Sequence, residues 1–486
     1  MARKCFSFCL VWLGVATVCS AQPALPRDKP LVRIAFGSCA DQDKPCPCWD
    51  AIAGFKPDVL LLLGDNIYAD IENGRVVPAD AARVLEKYKV QAAVPGFRKV
   101  RNTIPILAVW DDHDYGKNDG GGDLPFKDLS QTYFLDFWGV PKDDPRRNLK
   151  GVYSARIIGP VGKRVQVILL DGRYHRSPLK KGARRAMPGY SGTVAPYLPN
   201  TDPDATMLGE EQWTWLEEQL KKPAELRLVC SGIQVIADEP PFEKWANFPN
   251  ELNRLYKLIR DTKATGVVLL SGDRHLGDLS CRTDVVGYPL FDLTSSGLNQ
   301  GSKNWRPPDR NRYRLAGMPY QNNFGTILID WDATDVKVTL QLRDDAGELR
   351  VSHPFRLRQL RPTPGAVAAA TDEPIAELPR PDGVLTPAEA AKMLDKEVTV
   401  QFAPASGRVN GQGDAKRIFL NSEKDYRSET NFTVMMTIKA LTDKYKDATF
   451  DTFRGKTIRV KGTVKLYQNR PEIDVSDETQ ITVVEK

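Results

Sequence analysis

The stretch "PDVLLLLGDNIY", residues Pro57–Tyr68, joins an uninterrupted apolar run to a glycine and a carboxylate. Five consecutive apolar residues before Gly64 are typical of a strand that is buried on both faces, as in a parallel sheet. The run then stops at Gly64 and Asp65. Because ligands bind at the carboxyl ends of strands in open α/β sheets, Asp65 and Tyr68 are predicted to lie at a functional edge.

Other apolar runs between residues 31 and 360 follow the same pattern and end in polar, chemically capable residues. Four of these ends are Gly37-Ser38-Cys39, Gly64-Asp65-Asn66-Ile67-Tyr68, Asp111-Asp112-His113-Asp114 and Gly272-Asp273-Arg274-His275. Helical patterns separate several of the runs, for example around residues 80–88 and in "GEEQWTWLEEQL". The sequence therefore predicts an α/β domain over residues 31–360 in which the four ends converge.

The side chains at these ends suit metal ions. Carboxylates and a phenol are ligands for hard cations, whereas a thiolate and an imidazole suit iron or zinc. Four carboxylates grouped without a cation would have raised pKa values, which is unfavourable. A pair of metal ions about 3.5–4 Å apart, bridged by one carboxylate, removes this repulsion and holds a phosphate oxygen. The sequence thus predicts a binuclear metal site.

Six motifs occur along the chain in the order "FGSC", "LLGDNIYAD", "WDDHDYGKND", "LLDGRYHR", "GEEQWTWLEEQL" and "LSGDRHLG". This set resembles the PhoD-like (alkaline phosphatase D) family of the calcineurin-like metallophosphoesterase superfamily. The resemblance covers roughly residues 31–360 and implies a four-layer α-β-β-α sandwich. It also implies hydrolysis of a phosphoric monoester or diester by a metal-bound hydroxide. Two alternatives remain open: a phospholipase or nucleotidase of the same superfamily, and a non-catalytic protein that binds a cell-surface polymer.

The resemblance also implies the ligand set. The implied metal ligands are Cys39, Asp65, Tyr68, Asp112, Asp273 and His275. Asp65 would bridge the two ions, while Cys39 and Tyr68 would hold Fe³⁺. Asp112 and Asp273 would hold Ca²⁺, with magnesium or another divalent ion as alternatives. His275 would ligate one of the two ions, and the sequence leaves open which one.

His113, Arg173 and Arg176 are the candidate catalytic and substrate-binding residues. His113 stands between Asp112 and Asp114, and nearby anions raise the pKa of an imidazole and keep it protonated. It is predicted to donate to the leaving-group oxygen or to stabilise charge on the phosphoryl group. Arg173 is the predicted phosphate clamp, because guanidinium pairs bidentately with phosphate oxygens. A structural salt bridge is the alternative for Arg173, and Arg176 is a second substrate-binding candidate.

Residues 1–21 have the pattern of a secretory signal peptide, in which Arg3 and Lys4 precede an apolar stretch and small residues. An uncleaved anchor is the alternative. The expected mature protein is exported to the periplasm or the extracellular space and has no membrane span. Five cysteines remain beyond residue 21, and an odd number leaves at least one thiol unpaired. Pairing among Cys46, Cys48, Cys230 and Cys281 is left open.

The remainder of the chain differs in composition. Residues 361–384 are rich in proline and alanine without periodicity, which predicts a linker. Residues 385–486 begin with a helical pattern and continue with period-two alternation, which predicts a small β domain resembling an OB-fold. Their 17 Lys and Arg nearly balance 15 Asp and Glu, so nucleic acid is not a favoured partner. The expected partner is a phosphoester, either a small molecule or a polymer.

Overall fold

The computed structural model describes residues 22–187, 190, 192–302, 310–318, 321–362, 380–410, 416–423, 428, 430–437, 445, 448, 450–453, 456–467 and 470–484. Contacts divide the chain into two compact units, Met1–Val367 and Ala368–Lys486. The predicted signal peptide, residues 1–21, lies outside the described residues, as do residues 363–379 of the predicted linker. Every helix within the described ranges is too short or too polar to span a bilayer.

The first unit contains strands of two to eight residues. In chain order they are β1 Arg33–Gly37, β2 Val59–Leu63, β3 Ile71–Glu72, β4 Arg75–Val76, β5 Ile106–Val109, β6 Ser154–Ile158, β7 Val165–Leu169, β8 Lys180–Lys181, β9 Arg185–Ala186, β10 Thr193–Val194, β11 Tyr197–Leu198, β12 Leu226–Ser231, β13 Val267–Ser271, β14 Gly277–Arg282, β15 Leu290–Ser295, β16 Arg314–Met318, β17 Asn323–Asp330, β18 Lys337–Asp344 and β19 Leu349–Arg356.

The helices of this unit lie between the strands. They are α1 Cys48–Phe55, α2 Ala81–Ala93, α3 Pro95–Thr103, α4 Asp112–Tyr115, α5 Lys127–Phe137, α6 Glu210–Lys221 and α7 Pro249–Asp261. Short 3₁₀ turns occur at Pro145–Asn148, Trp245–Asn247 and Leu357–Leu360. The helical patterns predicted around residues 80–88 and in "GEEQWTWLEEQL" correspond to α2 and α6. Asp80 is the N-cap of α2, and its side chain accepts a hydrogen bond from the Ala82 amide.

The first large sheet has the strand order β19-β18-β17-β1-β2-β5. Strands β1, β2 and β5 are parallel, and β17 joins β1 in the antiparallel direction. All five residues of β2 are buried, as the leucine run predicts. The carboxyl ends of β1, β2 and β5 therefore meet at one edge of the sheet, where "GSC", "GDNIY" and "DDHD" follow them.

The second large sheet has the order β16-β14-β15-β13-β12-β7-β6. Its inner strands β7, β12, β13 and β15 are parallel, and the outer strands β6, β14 and β16 are antiparallel to their neighbours. Arg173 follows β7 and Asp273 follows β13. The carboxyl ends of β7 and β13 in the second sheet are therefore also followed by predicted site residues.

The hydrophobic core joins the two sheets and the helices around them. One cluster contains side chains from both sheets, including Phe36 and Leu61 from the first and Val167 and Leu269 from the second. Residues that face the opposite way in the first sheet pack in a separate cluster with α1 and α3. The predicted mixed α/β architecture with several sheets is confirmed, and the complete four-layer order remains a prediction.

The cysteines described in this unit are all free thiols. Cys39, Cys48 and Cys230 are buried, and Cys46 and Cys281 are partly exposed. The structure contains no disulfide among the residues that it describes, so the pairing left open by the sequence is not formed there.

The second unit consists mainly of β-strands. They are β20 Val384–Leu385, β21 Glu397–Phe402, β22 Ser406–Asn410, β23 Arg417–Asn421, β24 Thr433–Thr437, β25 Thr457–Tyr467, β26 Arg470–Val475 and β27 Ile481–Val484, with short helices α8 Pro387–Ala390 and α9 Phe450–Phe453. The long strand β25 pairs with β21, β26 and β27. Alternate residues along much of β25 are buried, in agreement with the period-two pattern. The OB-like assignment remains a prediction.

Candidate metal centre

Left-handed backbone conformation is concentrated at the predicted ligands. Cys39, Asp65, Asp273 and His275 have φ angles of 62°, 50°, 68° and 54°. Positive φ is uncommon for residues other than glycine, and such strain persists only where the surrounding structure fixes it. Four residues that the sequence marked as ligands thus share an unfavourable conformation just beyond three strand ends.

Glycines allow these loops to approach one another. Gly64 has a φ of +109°, and a Cβ atom there would lie 2.3 Å from the Asp111 Cβ. A Cβ on Gly272 would lie 2.5 Å from the Ser38 Oγ. Gly232, which follows β12 and was not singled out from the sequence, would place a Cβ 2.3 Å from the Asp111 Oδ1. The strand ends of both sheets are therefore in close contact around Asp111 and Ser38.

Asp65 lies at the centre of the first group of ligands. Its Oδ2 accepts a hydrogen bond from the Cys39 Sγ at 3.3 Å and from the Tyr68 hydroxyl at 3.3 Å. The same hydroxyl lies 3.1 Å from the His275 Nε2. Ligand atoms of Cys39, Asp65 and His275 all lie within 4.8 Å of one another, which is a spacing that one metal ion can span.

A second group of ligands consists of carboxylates and shares Asp65 with the first. Ligand oxygens of Asp65, Asp111, Asp112 and Asp273 lie within 4.8 Å of one another. The structure therefore brings all six sequence-predicted ligands together and adds Asp111, to which the sequence reasoning gave no role. Asp65 is the residue common to both groups, as a bridging ligand must be.

The electrostatics of the group fit cations. Burial, reinforced by Asp112, raises the pKa of Asp65 and of Asp273 well above the ordinary value. Burial raises the pKa of Asp111 to about 8, and its Oδ2 has no hydrogen-bond partner among the described residues. Burial, reinforced by Asp65, likewise raises the pKa of the Cys39 thiol well above its usual range. Positive charge at the group would reverse these shifts, so the residues fit a pair of metal ions.

His113 is held beside this group by a second carboxylate. Its Nδ1 lies 2.5 Å from the Asp70 Oδ1, and its ring packs on Tyr68 with centroids 4.2 Å apart. Although burial opposes the charged form, Asp112, Asp65 and Asp70 together raise the pKa of the imidazole well above 6.5. The predicted protonated state is therefore supported, and Asp70 is a partner that the sequence reasoning missed.

Arg173 and Arg176 lie in a buried ion network. The Arg173 Nε and Nη1 pair with Asp111 at 2.6 Å and with Glu243 at 2.6 Å, and the Arg176 Nε lies 2.9 Å from the other Glu243 oxygen. Both arginines are 1% exposed. The Arg173 Nη2 lies 3.9 Å from Asp112 and has no hydrogen bond to the described residues. Arg173 therefore lies next to the carboxylate group and has one nitrogen without a hydrogen bond to the described residues. Arg176 is connected to Arg173 through the Glu243 carboxylate.

The ion network predicts a large effect of Arg173→Ala on stability. The substitution leaves Asp111 buried without its cation and Glu243 with Arg176 alone, and removing one partner of a buried pair costs about 3–5 kcal/mol. Urea unfolding of the metal-free protein should show this loss. The exposed Arg98 on α3, substituted by alanine, should change the free energy of unfolding by less than about 0.5 kcal/mol. Equal stability of the two variants would contradict the network.

Asp114 fixes the loops around the carboxylate group. It is fully buried and accepts hydrogen bonds from the backbone amides of Asp65, Asn66 and Asp111. Its carboxylate therefore fixes the turn after β2 against the turn after β5. Asp114 lies on the first turn of α4, where its side chain faces the neighbouring strand end.

Another acidic group lies next to the ion network. Ligand oxygens of Asp112, Asp119 and Glu243 lie within 4.8 Å of one another. The Tyr197 hydroxyl donates to the Asp119 Oδ2 at 2.5 Å. The sequence gives little indication of this acidic group, because Glu243 and Tyr197 lie in segments without a recognisable motif.

The pKa shifts predict how the stability of the metal-free protein depends on pH. Burial raises the pKa of Asp111 to about 8 and of Asp114 to about 7, so the folded state binds more protons and loses stability as pH rises. The raised pKa of His113 acts in the same direction, since its contribution is lost as pH rises through the folded value. The lowered pKa values of Asp112 and of His275, the latter about 3, act in the opposite direction only below about pH 6.5.

We therefore expect the free energy of unfolding of chelator-treated protein to fall between about pH 6.5 and 8. Metal-saturated protein should lose less or gain, because metal ions bind the ionised carboxylates. Urea unfolding at several pH values in that window measures both slopes. A metal-free protein that becomes more stable towards pH 8 would contradict the raised pKa values of Asp111 and Asp114.

Comparisons with known proteins agree with the resemblance drawn from the motifs. The family model described as "PhoD-like phosphatase" matches residues 158–281, so the resemblance to that family is confirmed. The solved "Structure of PhoD" matches with a TM-score of 0.52 at 15% identity, covering 69% of this chain and 70% of that chain. At this identity the match supports the fold alone.

Two further solved structures match this chain with lower TM-scores. GAP50, the anchor in the inner membrane complex of Plasmodium, matches with a TM-score of 0.41 at 12% identity over 71% of this chain and 96% of its own. A 5'-nucleotidase precursor from Thermus thermophilus matches with a TM-score of 0.27 at 14% identity over 70% of this chain and 56% of its own. No curated protein is a significant match to the chain.

Proposed function

We propose that this PhoD-like chain is an exported, metal-dependent phosphoester hydrolase, a phosphatase or phosphodiesterase. The proposal rests on the position of Asp65, which belongs to both ligand groups described above. Its oxygens lie within 4.8 Å of ligand atoms of each group. A carboxylate shared by two ligand sets is what a binuclear phosphoesterase requires. The match of residues 158–281 to the phosphatase family supports the reaction class.

The donor chemistry of the two groups differs. Cys39, Tyr68 and His275 offer sulfur, phenol and imidazole donors, which suit Fe³⁺, whereas Asp111, Asp112 and Asp273 offer only carboxylate oxygens, which suit Ca²⁺ or another hard divalent ion. Bound metal ions would polarise the phosphoryl oxygens and activate a water molecule for attack on phosphorus.

His113 is the proposed proton donor to the leaving-group oxygen. Its Nδ1 is engaged by the Asp70 Oδ1 at 2.5 Å, so Nε2 is the nitrogen that remains for a substrate. Asp112, Asp65 and Asp70 raise the pKa of the ring against the effect of burial, which favours its protonated form in the metal-free site. Packing on Tyr68 limits rotation of the ring.

Arg173 is proposed to contribute one nitrogen to the substrate while its other nitrogens hold the loops. The Nη2, which makes no hydrogen bond to the described residues, lies 3.9 Å from the Asp112 Oδ1 and is the one donor left for a phosphoryl oxygen. Nε and Nη1 are occupied by Asp111 and Glu243. Arg176, held by Glu243 and by the backbone carbonyls of Ser177 and Asp119, is a positioning residue of the same network.

The proposed activity is tested by comparing 4-nitrophenyl phosphate with bis(4-nitrophenyl) phosphate as substrates. Purified mature protein should hydrolyse at least one of them, lose turnover with a chelator and regain it when metal is restored. The ratio of the two rates decides between monoester and diester preference. Protein that binds metal but hydrolyses neither substrate would favour the non-catalytic polymer-binding alternative.

The proposal also covers the location of the protein and the fold of its second unit. The signal-peptide pattern of residues 1–21 supports export to the periplasm or the extracellular space. Residues 385–486 are proposed to form an OB-like accessory domain. Secretion of the full-length chain with removal of residues 1–21, read by mass spectrometry of the mature amino terminus, tests the export step.

A further inference from the structure

A cavity of about 820 Å³ lies against the first sheet, away from the metal centre. Its lining includes Arg33 at the start of β1, Phe55 at the end of α1, Leu328 of β17 and Arg343 of β18. The volume falls within the range of about 300–1,000 Å³ that is typical of small-molecule sites. Arg33 lies at the amino end of β1, roughly 13 Å along the strand from Gly37 at about 3.3 Å per residue. No lining residue belongs to the metal centre.

Two guanidinium groups in this cavity share one aromatic ring. The Arg33 Cζ lies 4.3 Å from the centroid of the Phe55 ring, and the Arg343 Cζ lies 5.2 Å from the same centroid. The two positive charges are therefore close to each other. Burial and the charge of Arg33 both lower the pKa of Arg343. Two adjacent cations repel each other, and a negative charge bound between them would relieve that repulsion.

The arginines do not find that charge among the described residues. There, Arg343 donates only to neutral acceptors, namely the Thr326 Oγ1, the Gln341 Oε1 and the Gly347 carbonyl. The Arg33 Nε is buried without a hydrogen-bond partner in the described part of the chain. Both arginines are partly exposed, so their remaining N–H donors are accessible to an external anion.

The two carboxylates in the lining are engaged elsewhere. Asp50 forms an ion pair with the Lys99 Nζ at 2.9 Å, and Asp345 accepts a hydrogen bond from the Asn322 Nδ2 at 3.1 Å. Neither forms an ion pair with Arg33 or Arg343. The lining also contains Phe55, which is partly exposed and offers apolar surface beside the two cations.

We propose that this cavity is a binding site for a small aromatic oxyanion, with a phosphate or phosphonate group held by Arg33 and Arg343 and a planar apolar group against Phe55. Guanidinium groups recognise tetrahedral oxyanions through paired N–H donors. The exposed part of the Phe55 ring provides apolar contact for the planar group of the ligand. The inference rests on the cavity alone and is independent of the activity proposed for the metal centre.

The test uses isothermal titration of the full-length mature protein with phenylphosphonate, which has no phosphoester bond to hydrolyse. Wild-type protein and Asp65→Asn should both bind it, because Asp65 is remote from the cavity. The double variant Arg33→Gln/Arg343→Gln should lose at least about tenfold in affinity, since each lost charge-assisted hydrogen bond costs that much or more. Lys89→Gln/Arg98→Gln, which removes two exposed cations from α2 and α3, is the matched control and should bind like wild type.

A second variant separates the roles of charge and ring. Phe55→Leu should weaken binding of phenylphosphonate and leave binding of inorganic phosphate unchanged, since the arginines remain. Circular dichroism and unchanged hydrolysis of 4-nitrophenyl phosphate by the arginine variant would show that it is folded.

Binding that disappears in Asp65→Asn but persists in the arginine double variant would overturn the proposal, because the metal centre would then be the site. Absence of binding to wild-type protein would overturn it as well. Binding in the cavity without hydrolysis by any variant would support the proposal and count against the phosphoesterase activity alone.

Discussion

Asp65→Asn should reduce phosphoester turnover to less than about one thousandth of the wild-type rate and should abolish binding of at least one metal ion. Loss of a single stabilising donor in an active site costs about 10²–10³-fold, and Asp65 serves both ligand groups. An amide keeps the shape of the side chain but removes the negative charge that two cations would share. Initial rates and metal content per chain measure the two effects.

The same substitution should not destabilise the metal-free fold. Burial and Asp112 raise the pKa of Asp65, so its carboxyl is disfavoured in the charged form when no cation is present. Asparagine is neutral at every pH, and the free energy of unfolding in a chelator should be unchanged or higher. Asp123→Asn, in the exposed part of the same "DDHDYGKNDGGGD" segment, is the control and should retain activity and metal. Full activity in Asp65→Asn would show that the centre is elsewhere.

His113→Ala should retain both metal ions and lose about 10²–10⁴-fold in turnover, the usual contribution of a positioned proton donor. The imidazole is held by Asp70 and packs on Tyr68, so its removal leaves the carboxylate groups in place. Rates and metal content of the variant test this expectation. His353→Ala, which removes an imidazole of β19 that packs on Phe291, is the matched control and should keep the wild-type rate.

The leaving group distinguishes proton donation from a structural role of His113. A substrate with an alkyl leaving group needs a proton in the transition state, whereas 4-nitrophenolate leaves readily without one. The His113→Ala defect should therefore be much larger for the alkyl phosphoester. Asp70→Asn should show the same trend to a smaller extent, because it acts through His113. Equal defects for both substrates, or loss of the metal ions, would make His113 a structural residue.

The position of the site could be predicted from the sequence because it depends on strand order. The run of leucines in β2 and the apolar run of β5 mark buried parallel strands, and Asp65 and Asp112 lie just beyond their carboxyl ends. Asp273 follows β13 in the second sheet by the same logic. Side chains that follow such strands converge whatever the intervening loops do.

The partners of these residues could not be predicted, because they are set by tertiary contacts. Glu243 lies 70 residues from Arg173, in a loop without a motif, yet the two form an ion pair at 2.6 Å. Arg173 is predicted to face substrate, and its ion pairs with Asp111 and Glu243, which the sequence does not indicate, occupy Nε and Nη1 and leave Nη2 for that role. Asp111 was predictable, because it lies two residues beyond Val109 of β5 just as Asp65 lies two residues beyond Leu63 of β2.

The central claim is most directly tested by titrating metal ions into chelator-treated mature protein while phosphoester hydrolysis is followed. The account predicts turnover that rises to a plateau at two metal equivalents per chain in the wild type, with iron filling one position and calcium or another divalent ion the other. Asp65→Asn should show no such rise. A wild-type protein that reaches full turnover without added metal, or that binds two equivalents and never hydrolyses a phosphoester, would contradict the account.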